Sequence, residues 1–366
     1  MKSVYFALVL MLVPALLHAD PLTPFEPGST KVKLEDALPH YDRPENKTNE
    51  FYSEWWAFVF RLDDGYTAYV QFLISNMGPG DGKGFVKVEF GTPDGRKYKT
   101  TSEYSSSQWS WQKDQFLLQF GDNRLSGPLN NLKIQLENKE LSAELVIENI
   151  AQPWKPGTAK AQYGKKKTSY YAFQYLVPVG KVSGTVKTKD NNKEHQVKGL
   201  IHSDHSVASI GPHEQAQTWA RFRVLGEKTT LLVSDIRTPK VYGGAPIRQA
   251  VLFRNGKVVF ESVDFNVSLS DPYVDPKKSG YQAPRLMEIS GTTQKGNFRG
   301  AIKATKLTSS EDYLESSGAA ARFIISKFAK PVMYYFDGIY AIEVEVDGKP
   351  QEFKGRGSYY YTVMNP

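Results

Sequence analysis

Residues 54–75 read EWWAFVFRLDDGYTAYVQFLIS, and this stretch decides the fold. Successive side chains of a strand project to opposite faces, so Glu54 and Trp56 share one face and Trp55 lies on the other. The Asp-Asp-Gly sequence at residues 63–65 is typical of a hairpin turn. The stretch therefore predicts two antiparallel strands joined by a tight turn.

The same hairpin is echoed later in the chain. With constant spacing, Trp56-Ala57, Leu62, Thr67 and Val70 recur as Trp219-Ala220, Leu225, Thr230 and Val233. A second echo, Lys198-Gly199 and Lys354-Gly355, closes both halves. Matches at the opening and the closing of each half predict two similar units of roughly 160 residues, which is a usual domain size.

Short alternating runs continue through both halves. Strands are expected over residues 85–90, 97–104, 109–111, 116–120, 132–136, 142–150, 219–225, 230–236, 247–253, 257–262, 265–269, 287–293, 299–304, 339–346 and 353–363. One helical pattern, capped at Ser309 and stopped at Pro331, interrupts the second half. The pattern predicts an all-β fold of two tandem lipocalin-like (calycin-type) antiparallel β-barrels, with one helix near the C-terminal end.

The first residues predict an exported protein. Met1-Lys2 precedes an apolar run from Val4 to Leu17 that is too short to span a bilayer, and Ala19 is the expected cleavage point. The alternative is a hydrophobic anchor that stays attached. A lead-in segment over 20–49, an N-terminal domain over 50–200 and a C-terminal domain over 201–366 would follow, in a periplasmic or secreted protein.

Composition narrows the classes of partner. The chain has 46 Lys and Arg, 39 Asp and Glu, and a net charge of +7. The only dense basic run, Lys165-Lys166-Lys167, has no nucleic-acid motif beside it, so nucleic acid is not an expected partner. The charge allows weak contact with an anionic membrane surface. The 6 Trp, 21 Tyr and 20 Phe residues fit either a large core or a cavity for a hydrophobic ligand.

Residues 169–243 carry the motifs of a known family. Ser169-Tyr170-Tyr171 leads to Val182-Ser183-Gly184-Thr185-Val186, Val197-Lys198-Gly199 and His202-Ser203-Asp204-His205. This order resembles the carotenoid 1,2-hydratase and attachment-protein family, whose members are tandem lipocalin-like proteins. The fungal survival-factor branch of the same superfamily is similar at Pro212-His213, Ala216, Trp219, Phe222 and Thr238-Pro239-Lys240-Val241-Tyr242-Gly243.

The resemblance implies a hydrophobic ligand and no cofactor. The survival-factor branch handles lipid and ceramide, the hydratases hydrate an isoprenoid double bond, and related fungal members are cofactor-free cyclases. This chain departs from the hydratase pattern at His202, where an aromatic residue is expected, and at Ser206-Val207-Ala208, which replaces an acidic-Trp-Gly stretch. These departures bear on catalysis more than on the fold.

Asp204 and His205 are the candidate catalytic residues. Hydration of an alkene needs an acid that protonates the double bond, and burial raises the pKa of a carboxyl group toward that role. His205 would orient the acid. The alternative is a structural pair that ties the end of the first unit to the start of the second.

Glu54, Trp56, His202, Trp219 and Arg221 are the candidate ligand-binding residues. Glu54 would accept a hydrogen bond from a ligand head group inside the first barrel, or lie at its solvent rim. Arg221 would reach into the second barrel, or make a cation–π contact or a rim salt bridge. The tryptophans would line a cavity or fill the barrel floor.

No metal site is predicted. The possible ligands are His202, Asp204, His205, His213 and Glu214. His202 and Asp204 would share a strand face while His205 points away, and no recognised ligand spacing is present.

Two functions follow from these residues. The favoured one is an exported binding or carrier protein for a lipid or another hydrophobic small molecule. The alternative is a cofactor-free hydratase or cyclase acting on a polyene or isoprenoid, with Asp204 as the general acid.

Overall fold

The fold class predicted from the sequence is confirmed. A computed structural model of the protein describes residues 19–77, 81–293, 295–316, 322, 326, 329–346 and 348–365. Two antiparallel sheets, of fifteen and nine strands, account for most of these residues, and each sheet curls into a barrel. The helices within the described ranges are short.

The strands of the first sheet are β1 (Leu22–Thr23), β2 (Ser29–Lys31), β3 (Ser53–Leu62), β4 (Thr67–Ser75), β5 (Lys83–Gly91), β6 (Lys97–Tyr104), β7 (Trp109–Trp111), β8 (Leu117–Phe120), β9 (Asn123–Ser126), β10 (Asn131–Glu137), β11 (Leu141–Asn149), β12 (Trp154–Pro156), β13 (Lys160–Tyr163), β14 (Ser169–Thr188) and β15 (Lys193–Ala208). The strands of the second sheet are β16 (Thr218–Val224), β17 (Thr229–Arg237), β18 (Pro246–Arg254), β19 (Lys257–Ser262), β20 (Asn266–Val274), β21 (Gln282–Thr293), β22 (Gly296–Asp312), β23 (Val332–Val346) and β24 (Lys349–Val363). The helices are α1 (Leu34–Ala37), α2 (Pro44–Lys47), α3 (Pro212–Gln215) and α4 (Tyr313–Ser316), with a 3₁₀ turn at Lys240–Tyr242.

The two sheets share one connectivity. The main path of the first runs β6-β5-β4-β3-β15-β14-β11-β10-β9-β8-β7, and the second runs β19-β18-β17-β16-β24-β23-β22-β21-β20. In each sheet, four consecutive strands run to one edge, and the last strand returns to pair with the first of the four. This shared order is the one expected of two similar units.

The residues that recur in the two halves do not point to the same side of their strands. Trp56 points into the first barrel and is fully buried. In the second unit Ala220 and Phe222 occupy the barrel interior, so Trp219 lies on the outer face of β16. The echo of Trp56 by Trp219 therefore joins residues on opposite faces, and Trp219 does not point into a barrel.

The described residues form three apolar clusters, one inside each barrel and one between the two units. The interior of the first barrel is packed with large side chains, among them Phe58, Phe72 and Phe120. The second barrel is packed around residues that include Phe222, Phe260, Phe298, Tyr334 and Tyr359. A third cluster lies between the units and joins Tyr171, Phe173 and Tyr175 of β14 to Leu232, Val251 and Phe253 of β17 and β18. Apolar burial drives both folding and docking of such units.

The first unit ends later than predicted. β15 pairs with β3 as far as Ala208 opposite Ser53. The predicted boundary after residue 200 therefore falls inside a strand of the first sheet. The segment 209–217, with α3, connects the two units.

The lead-in segment is part of the first unit. It contains β1, β2, α1 and α2, and β2 and β1 pair with β12 and β13. Trp56 Nε1 donates a hydrogen bond to the Ala37 carbonyl at 2.9 Å, which fastens α1 onto the barrel interior.

The C-terminal helix begins later in the structure than the sequence predicted. Ser309 and Asp312 belong to β22, which pairs with β23 as far as Asp312 opposite Val332. The helix that follows, α4, covers Tyr313–Ser316, and most of the predicted span beyond it lies outside the described residues. The signal segment and its apolar run, 1–18, also lie outside them. Within the described ranges, no helix has both the length and the apolar character to cross a bilayer.

Candidate functional site

The structure divides the predicted site residues between two places. Glu54, Trp56 and His205 lie inside the first barrel, whereas His202, Asp204, Trp219 and Arg221 lie between the units. We call the second place the seam; its residues are Tyr69, His202, Asp204, Trp219, Arg221, Arg223, Tyr313, Tyr335 and Tyr360.

Asp204 and His205 do not form one site. Adjacent residues of a strand point to opposite faces, and both lie in the regular part of β15 that pairs with β3. His205 Nε2 contacts Glu54 Oε1 at 2.8 Å inside the barrel, and Asp204 Oδ2 lies 3.5 Å from Arg223 Nη2 in the seam. The predicted role of His205 as the partner that orients Asp204 is therefore wrong.

Glu54 is the centre of the cluster inside the barrel. Its carboxylate accepts hydrogen bonds from the Tyr52 hydroxyl at 2.5 Å, from His205 Nε2 at 2.8 Å and from the His40 backbone N–H at 2.9 and 3.0 Å. Burial acts to raise the pKa of Glu54, but the hydrogen bonds that its carboxylate accepts, led by the one from His205, outweigh burial and leave the pKa lowered. The carboxylate is 0 % exposed and does not lie at a solvent rim.

Trp56 and His205 connect this cluster to the lead-in segment. The His205 ring stacks on the Trp56 ring, with 4.6 Å between centroids and 7° between planes. Because His205 Nε2 donates to Glu54, its Nδ1 accepts a hydrogen bond from Gln174 Nε2 at 2.8 Å. Gln174 Nε2 also donates to the Asp36 carbonyl of α1. The protein itself satisfies the Glu54 carboxylate and the His205 ring, and we call this cluster of Glu54, His205, Trp56 and Gln174 the clasp, because it holds the lead-in segment on the barrel.

His40 brings a buried imidazole to the same clasp. Its ring packs edge-on against His205 at 5.8 Å, and its ring nitrogens make no hydrogen bond of normal geometry. Burial lowers the pKa of His40 to about 4, against the opposing effect of the Glu54 charge. His40 is therefore neutral in the folded protein at pH 7.

The depressed pKa of His40 predicts acid sensitivity. The unfolded chain takes up a proton near pH 6.5 that the folded chain resists to about pH 4, so stability falls as the pH drops through that window. We expect the loss between pH 7 and pH 5 to be about 2 kcal/mol from this group. His40→Phe keeps the backbone contact to Glu54 and should remove that loss, as measured by urea unfolding at both pH values. An unchanged pH dependence in the variant would contradict the assignment.

Asp204 and His202 form the polar part of the seam. The Asp204 carboxylate is 2 % exposed, with Arg223 Nη2 at 3.5 Å and the Ser206 hydroxyl at 3.4 Å. His202 Nδ1 donates to the Pro178 carbonyl at 3.1 Å, which leaves Nε2 as an acceptor 4.0 Å from Asp204 Oδ2. Burial, reinforced by the Arg223 charge, holds the pKa of His202 well below its usual value. Two acceptors therefore face each other with no donor between them among the described residues.

Tyrosines from both units form the aromatic part of the seam. Tyr69, Tyr313, Tyr335 and Tyr360 all keep some exposed surface. Even so, burial raises the pKa of Tyr313 to about 12 and raises that of Tyr69 further, with charges of Arg223 and Arg221 opposing the shift at Tyr69. Groups of the first and second units thus lie within range of each other's charges.

Trp219 and Arg221 border this aromatic surface. The Arg221 guanidinium lies 3.6 Å from the centroid of the Trp219 ring. This is the cation–π contact that was one of the alternatives for Arg221 in the sequence analysis. Trp219 Nε1 donates to Ser234 Oγ at 2.8 Å, and the ring packs edge-on against Tyr171. Arg221 lies on the outer face of β16 and does not enter the second barrel. Its predicted role in ligand binding stays a prediction.

The described residues contain no group of three or more His, Asp or Glu side chains placed to hold a metal ion. His202 and Asp204 share a face of β15, as the alternation predicted, and His205 turns away from them.

Several seam residues were not found from the sequence. Tyr69, Arg223, Tyr335 and Tyr360 occupy outward strand positions, which look like ordinary solvent-facing positions until a second sheet covers them. One signal was available: Trp55 and Trp56 put a large aromatic on each face of β3, which is typical of a strand covered on both sides.

Comparison with known proteins identifies relatives of this chain. A family model described as "Svf1 family" matches residues 38–362. A protein named ceramide-binding protein SVF1 from Yarrowia lipolytica is 24% identical over 244 residues, which cover 62% of this chain and 61% of that protein. The matched part thus spans about three fifths of this relative's length.

Solved structures share the fold at low identity. CghA with Sch210972 has a TM-score of 0.59 and 10% identity, covering 94% of this chain and 95% of that one. An AttH candidate protein from Nitrosomonas europaea has a TM-score of 0.57 and 15% identity, with 92% and 100% covered. At these identities the likeness establishes the tandem barrel fold alone.

Proposed function

The chain belongs to the Svf1 family, and from this membership we propose that it is an exported carrier that binds a ceramide-class lipid at the seam between its barrels. The matched residues 38–362 include nearly all of both barrels and the last part of the lead-in segment, with α2. A relative named as a ceramide-binding protein supports a lipid as the partner. The resemblance to the survival-factor branch, first read from the motifs, is confirmed at the level of the family.

One observation carries the choice of the seam. Two buried acceptors between the units, His202 Nε2 and Gln249 Oε1, make no hydrogen bond with the described residues, whereas the Glu54 carboxylate at the centre of the clasp is fully satisfied and only the His40 ring there is unpaired. His202 Nε2 and Asp204 Oδ2 are acceptors 4.0 Å apart, and Gln249, which donates to the Tyr175 hydroxyl at 3.2 Å, leaves its Oε1 unpaired. A buried polar atom without a partner costs about 1–3 kcal/mol, so a ligand that satisfies it gains that energy.

The chemistry of a ceramide fits such a site. Its hydroxyl groups and amide N–H are donors, and two of them would satisfy His202 Nε2 and Asp204 Oδ2, one donor to each acceptor. Its hydrocarbon chains would lie along the half-buried aromatic surface of Tyr69, Trp219, Tyr335 and Tyr360. Export, the other part of the proposal, is supported by the apolar run and the Ala19 cleavage point in the sequence.

One preparation tests both parts. The native protein is purified from its host, and mass spectrometry is applied to the intact chain and to its organic extract. We expect a chain that begins at Asp20 and a co-purified sphingolipid or related lipid. A chain that retains residues 1–19 would contradict export. The absence of any lipid, together with no binding of a fluorescent ceramide, would contradict the carrier role.

Trp219→Ala should weaken binding of a fluorescent ceramide by about tenfold, because it removes aromatic surface of the seam and frees the Arg221 side chain. Trp111→Ala is the matched control, since Trp111 lies on β7, outside the seam, and its Nε1 donates to Asp42 at 2.9 Å. Equal loss in both variants, measured by fluorescence titration, would argue against the seam as the binding site.

A further inference from the structure

Among the residues that the structure describes, no carboxylate lies beside Arg221. Its guanidinium makes no salt bridge or hydrogen bond with the described residues, and its one close contact is the Trp219 ring at 3.6 Å. Arg223, two residues along the same strand face, differs: it has the Asp204 carboxylate at 3.5 Å and the Tyr360 ring at 5.2 Å. Only one of the two seam arginines has a carboxylate beside it.

The other carboxylates near the seam have partners of their own. Glu311 accepts a hydrogen bond from the Tyr335 hydroxyl at 3.1 Å. Glu89 lies 3.1 Å from the Lys87 ammonium and 3.2 Å from that of Lys99. Arg221 therefore has no carboxylate within salt-bridge distance among the described residues.

The Arg221 charge acts on buried groups of the first unit. It opposes the rise that burial causes in the pKa of Tyr171 and Tyr69, and it helps to lower the pKa of His202. The guanidinium therefore faces the first unit across the seam. A partly desolvated guanidinium gains more from a bound anion than one in open solvent does.

The contact with Trp219 prepares Arg221 for an anion that offers two oxygens to one guanidinium. The guanidinium carbon lies 3.6 Å from the centroid of the Trp219 ring, and Trp219 is itself held by Ser234 and Tyr171. This leaves the N–H groups at the edge of the plane available for the two oxygens of a carboxylate or phosphate.

We propose that Arg221 is the anion-binding residue of the seam, and that the lipid carried there bears a carboxylate or phosphate beside its hydrocarbon chains. The proposal rests on the proposed lipid-carrier function and narrows its ligand. A neutral ceramide satisfies His202 and Asp204 and leaves Arg221 unpaired. A phosphorylated ceramide satisfies all three, and a fatty acid satisfies Arg221 alone.

Three probes with the same fluorophore and chain length test this on the full protein: a neutral ceramide, its 1-phosphate and a fatty acid. We expect the wild type to bind at least one anionic probe about tenfold more tightly than the neutral ceramide. Arg221→Gln should remove that preference, so that the affinity for the anionic probes falls by about tenfold more than the affinity for the neutral ceramide does. Arg221→Lys should keep part of it, because the charge remains while the paired N–H geometry is lost.

The matched control is Arg254→Gln, which removes an arginine that contacts Gln351 on the second sheet, away from the seam. It should leave all three affinities unchanged. Equal wild-type affinity for neutral and anionic probes would overturn the anion site while the carrier function stands. An equal loss of affinity for every probe in the Arg221→Gln variant would also overturn the anion site, because it would mean that Arg221 acts through packing. Failure of the wild type to bind any probe would overturn the carrier function itself.

Discussion

Replacement of Glu54 by alanine is expected to lower the free energy of unfolding by about 3–5 kcal/mol, the usual cost of removing one partner from a buried charged network. The change leaves the Tyr52 hydroxyl, His205 Nε2 and the His40 backbone N–H without their acceptor inside the first barrel. Urea unfolding at pH 7, followed by tryptophan fluorescence, measures the effect. Release of the lead-in segment should accompany it, seen as faster proteolysis near α1 and α2.

Two further variants separate charge from hydrogen bonding. Glu54→Gln keeps an acceptor oxygen but loses the negative charge, so we expect a smaller loss of stability than in Glu54→Ala. Glu144→Gln is the control, because Glu144 is exposed on β11 and pairs in register with Thr185. A Glu54→Ala protein as stable as the control would show that the clasp does not stabilise the fold.

The barrels could be predicted because their signal is local. Alternation along β3 and β4, with the turn at residues 63–65, fixes which side chains point inward, and the pairing of Phe58 with Val70 follows. The same pattern recurs in β16 and β17. The family could be predicted as well, because its motifs are contiguous runs that lie in β14 and β15.

The lead-in segment could not be predicted to be held by the clasp. Its helices α1 and α2 have four residues each, which is too short for a periodic apolar pattern. What binds them is a set of single contacts to distant residues, such as Trp56 to Ala37 and Gln174 to Asp36. No spacing rule links residues so far apart in the chain.

The candidate site was half predictable. Four of its residues were named, since His202, Asp204, Trp219 and Arg221 stood out by type or motif. What the sequence could not show was that they lie together between the units, because facing sheets bring together residues from strands that do not pair. The prediction placed the ligand inside the barrels, where alternation puts apolar side chains, and the structure packs those interiors with large aromatic residues.

The motif glycines are explained by crowding of the backbone. Gly184 and Gly199, from the V-S-G-T and V-x-G motifs, lie in adjacent strands and have φ of +153° and +155°. A Cβ on Gly184 would lie 2.0 Å from the Glu144 carbonyl oxygen, and one on Gly199 would lie 2.4 Å from that of Arg61. The motifs that identify the family thus secure the closing strands of the first barrel, which is why they specify fold more closely than activity.

Gly184→Ala is therefore expected to lower the free energy of unfolding by about 2–4 kcal/mol, from the strained φ together with the displaced β11–β14 pairing. Gly95→Ala is the matched control: its φ is +89°, yet a Cβ there meets nothing within 4 Å, so only the backbone strain of about 1 kcal/mol remains. Urea unfolding of both variants isolates the cost of the clash with Glu144. Equal losses in the two proteins would mean that β11 moves aside freely, and that the glycine is required for its φ alone.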